Sequence, residues 1–211
     1  MINKRHRTVS ICFIGIDGSG KTTQANLLLQ MLRRQGKSVK YVHFFSPKRI
    51  IAGGLQPKLF INTFIKILDQ PANNRLETVI KVVLRLMCIL IDAWLMYFVN
   101  IIKYKGKIII YDRYYYDSIV AIALRYTSLV NPIITFSKLL PKPSIIILLE
   151  VSSKTAIQRK PEHTHKEAER ICYLYRQLKG LLPTSVINAE LEIEQIKQHI
   201  EKLCKDLITC I

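Results

Sequence analysis

The stretch from Thr8 to Thr23 constrains the fold more than any other part of the chain. A β-branched and apolar run, 9–14, breaks at Gly15. Gly20, Lys21 and Thr22 then complete the spacing G-x-x-x-x-G-K-T. From Gln24 to Gln35, Ala25, Leu28, Leu29 and Leu32 recur at helical spacing. Strand, glycine-rich turn and helix is the context in which this spacing reads as a phosphate-binding loop. Gly15, Gly18 and Gly20 let the backbone wrap a phosphate chain with its amides turned inward. Asp17, Ser19 and Thr23 belong to the same loop, and the helix N-terminus behind it favours an anion. Lys21 is placed to span β- and γ-phosphates, and the Thr22 hydroxyl to hold Mg²⁺.

The rest of the chain supports an α/β reading. Further strands are predicted at 38–45, 107–112, 144–150 and 184–187, separated by helical segments. Gly36 is a natural stop for the first helix, and Ser46 to Arg49 with Gly53, Gly54 and Pro57 form a turn and loop. A short helix is expected over 58–68, then a long one over about 75–104 capped by Asn73 or Asn74. Helices follow at 117–127, 132–140, Ser152 or Ser153 to about Gln158, up to Lys179, and 190–208. Five apolar strands alternating with helices predict one domain over 1–211. Its parallel sheet is covered on both faces, with the ligand at the strands' C-terminal ends.

Two features compete with a simple soluble reading. Residues 79–102 are strongly apolar, but Lys81, Arg85, Asp92 and Asn100 interrupt them. Asp92 at the centre is costly in lipid, so a buried helix packed on the sheet is preferred to a membrane span, and peripheral membrane contact is not favoured. The net charge of +17 favours anionic ligands without identifying one. Nucleic acid is not the expected partner. The apolar run after the basic residues 1–7 is too short for an export signal. Five cysteines without metal or disulfide spacing fit a reducing, cytoplasmic setting.

Asp112 ends an apolar strand, the place of a Walker-B-type carboxylate for Mg²⁺. Arg113 follows at once and can clamp a phosphate in the same crevice. Phe13-x-Gly15-x-Asp17-Gly18-x-Gly20-Lys21-Thr22-Thr23-Gln24 resembles the thymidylate kinase signature, and Asp112-Arg113-Tyr114 resembles that family's D-R-Y motif. Pro141-x-Pro143-Ser144 with Glu150-Val151, and Ile187-Asn188-Ala189, are similar to two further family segments. The resemblance implies a three-layer P-loop NTPase fold with a five-stranded parallel core. It implies ATP with Mg²⁺ as donor and a nucleoside monophosphate, thymidylate by default, as acceptor. It assigns Asp17 to the acceptor sugar and Arg113 to a place between donor and acceptor phosphates. A short LID over about 159–167 would supply a catalytic arginine, Arg159, with Lys160 or Arg170 as alternates. Family members are commonly dimers, and the long apolar helix would suit a homodimer interface.

The acceptor end departs from the family. Its long helix carries an arginine where gapless counting places Asp92, its serine becomes Asp117, and its Tyr-Gln pair becomes Ala121-Ile122. The R-E-P-G-G loop is replaced by Ser46 to Arg49. The candidate acceptor residues are thus Asp17, Arg49, Arg85, Asp92, Arg113, Tyr114 and Asp117. Asp92 and Asp117 are expected to face a pocket beside Arg113 and to prefer a ligand rich in N–H or O–H donors. Two other readings stay open. One keeps the donor chemistry with a different acceptor: another nucleotide, a nucleoside, or a sugar or lipid phosphate. The other is a nucleotide-binding regulatory or membrane-peripheral protein without kinase activity.

Overall fold

A computed structural model describes residues 8–43 and 74–208. Five strands form one sheet: β1 (Val9–Ile14), β2 (Val39–His43), β3 (Ile108–Asp112), β4 (Ile145–Glu150) and β5 (Thr184–Asn188). Their order is β2-β3-β1-β4-β5 and every pairing is parallel. The predicted three-layer P-loop architecture is therefore present. The three central strands are buried almost throughout, which their near-continuous Ile, Leu and Val content requires.

Among the described residues, seven α-helices flank the sheet: α1 (Lys21–Arg34), α2 (Arg75–Lys103), α3 (Tyr115–Arg125), α4 (Val130–Phe136), α5 (Ser153–Arg159), α6 (His165–Leu181) and α7 (Ile193–Ile208). α1 packs with α7 and against β1 to β3, while α3 packs with α2, α4 and α6. Local chemistry sets several ends. α1 stops at Gly36, whose φ of 73° lets Gly36 N–H reach the Arg33 carbonyl and Lys37 N–H the Leu32 carbonyl. Asn74 caps α2 through the Glu77 amide, and Ser152 caps α5 through the Thr155 amide. The segment expected as one helix over 132–140 is α4 flanked by single 3₁₀ turns at Thr127–Leu129 and Ser137–Leu139. The loop 46–57, the short helix 58–68, Arg49 and Asn73 lie outside the described residues.

The expectation that α2 is a buried helix needs correction. Val82, Leu86, Ala93 and Asn100 are its buried residues, and they form one stripe. The opposite face is apolar and exposed: Ile91 is 57% exposed, Leu95 60%, Phe98 55% and Ile102 79%. The helix is long and apolar enough to cross a membrane, yet only 17% of its most apolar window is buried. Composition reports how apolar a helix is; α3, and β3 at Tyr111, meet only one stripe of it.

Candidate functional site

The phosphate loop joins β1 to α1, and neighbouring backbone forces its glycines. Gly15 has φ of 142°, and a Cβ there would lie 2.7 Å from the Leu149 carbonyl oxygen. Gly18 has φ of 85°, and a Cβ there would strike the carbonyl oxygen of Ala156 on α5. No L side chain fits either position. Gly20, with φ of 89°, occupies the N-cap of α1, so no side chain takes up the first-turn amides. Those amides and the helix dipole are left for an anion.

Lys21 opens α1 and is buried, its Nζ donating to the carbonyls of Gly15 and Ile16 at 2.7 Å each. Burial pulls its pKa from 10.5 to about 8. Arg113 adds to that pull, against the opposing charges of Asp117, Asp17 and Asp112. Asp17 gathers the cations of this cleft. Arg113 donates to its Oδ1, Lys21 Nζ lies 4.0 Å away, and His163 Nε2 lies 3.7 Å from Oδ2. Burial raises the Asp17 pKa, but Lys21 and Arg113 more than offset this and leave it below the usual value. Arg113 has φ of 74°, the one non-glycine with positive φ among the described residues. Its amide donates to the Phe13 carbonyl at 3.1 Å. A strained backbone that aims a guanidinium into a cleft persists only where the surroundings over-determine it.

Asp112 is fully buried, and its two oxygens differ sharply. Oδ2 accepts from Thr22 Oγ1 at 2.8 Å and Tyr41 Oη at 2.7 Å, and lies 2.8 Å from His43 Nδ1. Among the described residues, Oδ1 is buried without a hydrogen-bond partner. An orphaned carboxylate oxygen beside a threonine hydroxyl fits a hard cation. No group of three or more His, Cys, Asp or Glu able to hold a metal occurs among the described residues.

The cleft at the loop encloses about 400 Å³. Arg159 and Lys160, at the end of α5, line one side, while Leu191, Ile193 and Ile196 provide an apolar wall. Arg159 Nη1 donates to the Ala189 carbonyl at 2.8 Å, and Lys160 pairs with Glu162 at 2.8 Å. Arg170 lies on α6 and does not line this cleft. The apolar wall, Tyr41, His43, His163 and Tyr175 went unnoticed in the sequence. A Tyr-x-His pair at a strand end was a usable sign of two side chains on one face.

The residues expected at the acceptor end are placed differently from one another. Asp117 Oδ2 accepts from the Tyr114 amide at 2.9 Å, closing a capping box on α3, and Oδ1 accepts from Tyr175 Oη at 2.6 Å. Asp92 Oδ2 accepts from Tyr115 Oη at 2.7 Å. Burial raises the pKa of both carboxyls. Asp92 and Asp117, expected to face a pocket beside Arg113, each accept from a tyrosine hydroxyl of the protein, which removes the argument for a donor-rich ligand. Tyr114 is buried and donates to the Pro141 carbonyl at 2.8 Å. Arg85 is half-buried on α2, two turns before Asp92.

No protein-family model matches the chain. Curated relatives do, nearly end to end. A probable thymidylate kinase of Pyrococcus horikoshii is 27% identical over 208 residues, covering 93% of this chain and 92% of its own. One of Sulfolobus acidocaldarius is 29% identical over 199 residues, covering 93% and 92%. A thymidylate kinase of Symbiobacterium thermophilum is 26% identical over 220 residues, covering 95% and 94%.

Proposed function

The chain belongs to the thymidylate kinase family, and we propose that it transfers the γ-phosphoryl group of ATP to thymidylate, giving ADP and thymidine diphosphate. The observation that carries this reading is the convergence of Lys21, Arg113 and Thr22 on one glycine-walled cleft, with Asp112 buried behind Thr22 and accepting from its hydroxyl.

In this reading the loop amides and Lys21 hold the donor phosphates. Lys21 is half-protonated only near pH 8, so it carries charge at neutral pH, and a bound polyanion would raise its pKa further. Mg²⁺, held by Thr22 and Asp112, would neutralise charge on the β- and γ-phosphate oxygens. Arg113 clamps the acceptor phosphate, and Asp17, which holds that arginine, turns its carboxylate to the acceptor sugar. Phosphoryl transfer asks the protein for in-line positioning and charge neutralisation, with little covalent chemistry. The polar run 159–167 acts as a LID, with Arg159 leaving the Ala189 carbonyl to reach the transferring group. Asp92, Arg85, Tyr114 and Asp117 shape the acceptor end from behind, through Tyr115 and Tyr175, and Arg49 remains an acceptor candidate. The enzyme works in the cytoplasm, a reducing setting in which Cys12, Cys88, Cys172 and Cys204 stay as free thiols. The exposed apolar face of α2 pairs with a second copy of the chain.

The deciding experiment measures ADP release from ATP and Mg²⁺ across a panel of nucleoside monophosphates, nucleosides and sugar phosphates. Thymidylate should turn over best. A clear preference for deoxycytidylate or for an unphosphorylated acceptor would refute the acceptor assignment. No ADP release with any member would refute phosphoryl transfer itself.

A further inference from the structure

The Asp112 carboxylate has more support than a threonine hydroxyl, and that support comes from the edge strand. In the parallel β2–β3 register, Tyr41 stands beside Ile110 and His43 beside Asp112. Alternate residues of a strand share a face, so Tyr41, His43 and Asp112 all point to the side on which Thr22 enters from α1. Three groups then meet one oxygen, Oδ2, at 2.7 to 2.8 Å. A carboxylate oxygen has two lone-pair directions, which these three neighbours share, so Oδ2 has no acceptor capacity to spare. Oδ1, in the same fully buried side chain, has no partner. A buried carboxylate oxygen left bare in a water-excluded site is unfavourable unless a cation or donor arrives. The asymmetry also fixes the carboxylate's rotation, because turning it would break three hydrogen bonds at once.

We propose that Tyr41 and His43 are positioning residues for the metal ion: with Thr22 they occupy Asp112 Oδ2 and so leave Oδ1 as the unpartnered oxygen for a divalent cation. His43 does this in the tautomer that carries its proton on Nδ1. Val42, between them, faces the other side of the sheet, so a one-residue slip of β2 would remove both groups together. The inference rests on the phosphotransferase reading above, and it assigns neither residue to substrate contact.

The test is a Mn²⁺ titration followed by electron paramagnetic resonance on the whole chain with ADP, alongside ATP binding in EDTA and thermal melting. Wild type is compared with Tyr41→Phe and His43→Gln. Partners behind a metal ligand are worth about 10- to 100-fold in metal affinity. Mn²⁺ should bind each variant at least about tenfold more weakly, with metal-free ATP affinity unchanged. Unchanged Mn²⁺ affinity overturns the proposal. So does an equal loss of metal-free ATP binding, which would make the pair a support for the loop alone. If Tyr41→Phe does not fold, His43→Gln carries the comparison; if neither folds, the pair is structural and the proposal is wrong. A wild-type protein that binds neither Mn²⁺–ADP nor ATP removes the phosphotransferase reading first, which is a different failure.

Discussion

Replacing Lys21 with methionine should change how stability depends on pH. The side chain keeps a buried aliphatic stem but loses its charge and its two 2.7 Å hydrogen bonds to the loop carbonyls. In the folded protein burial brings the Lys21 pKa down to about 8 from 10.5. The unfolded chain therefore binds this proton more tightly than the folded one. Below about pH 8 both states are protonated and the folded state bears the full cost. Between about 8 and 10.5 the folded lysine sheds its proton first, so raising the pH favours folding. At about 1.4 kcal/mol per pH unit, the whole effect is about 3 kcal/mol. About 1 kcal/mol of it returns between pH 7 and 9, and about 2 by pH 10. For a domain of this size that corresponds to roughly 4–8 °C in Tm by pH 10. The assay is denaturant or thermal unfolding of wild type and Lys21→Met at several pH values, in buffers free of phosphate and nucleotide. The lost hydrogen bonds shift the two curves by a constant, so only the difference in slope matters. Wild type should gain on the variant as pH rises. Parallel curves from pH 7 to 10 would refute the assignment of a charged, desolvated lysine beneath the loop.

Arg159→Ala should lower kcat by about 10³ with a smaller effect on KM for ATP, as expected for an arginine that acts on the transferring group. Unchanged kcat would move that role to Lys160, which lines the same side of the cleft. Phe98→Glu, on the exposed face of α2, should convert a dimer to a monomer in sedimentation velocity without destabilising the core, because Phe98 is 55% exposed. A wild-type chain that sediments as a monomer at micromolar concentration would refute the interface.

Much of the phosphate-loop geometry was legible in the sequence because its determinants are local. A strand, three glycines and a helix stand within about two dozen residues, and the backbone conformations they adopt follow from glycine's lack of a Cβ. The order of strands and helices was readable for the same reason, since periods of 2 and 3.6 are short-range signals. Asp112 was readable as a carboxylate closing an apolar strand. Its neighbours were not. Tyr41 and His43 reach it only because β2 pairs with β3 in one register, and His163 approaches Asp17 only because the turn after α5 folds back over the loop. Asp117 read as a residue asking for a donor from its ligand, whereas the fold brings Tyr175, 58 residues later, onto its Oδ1. The long helix α2 is the plainest case. Its apolar content is a property of sequence, but which stripe is buried depends on a sheet assembled from strands far apart in the chain. A sheet offers a helix one face, so the remaining apolar surface stays exposed in the monomer.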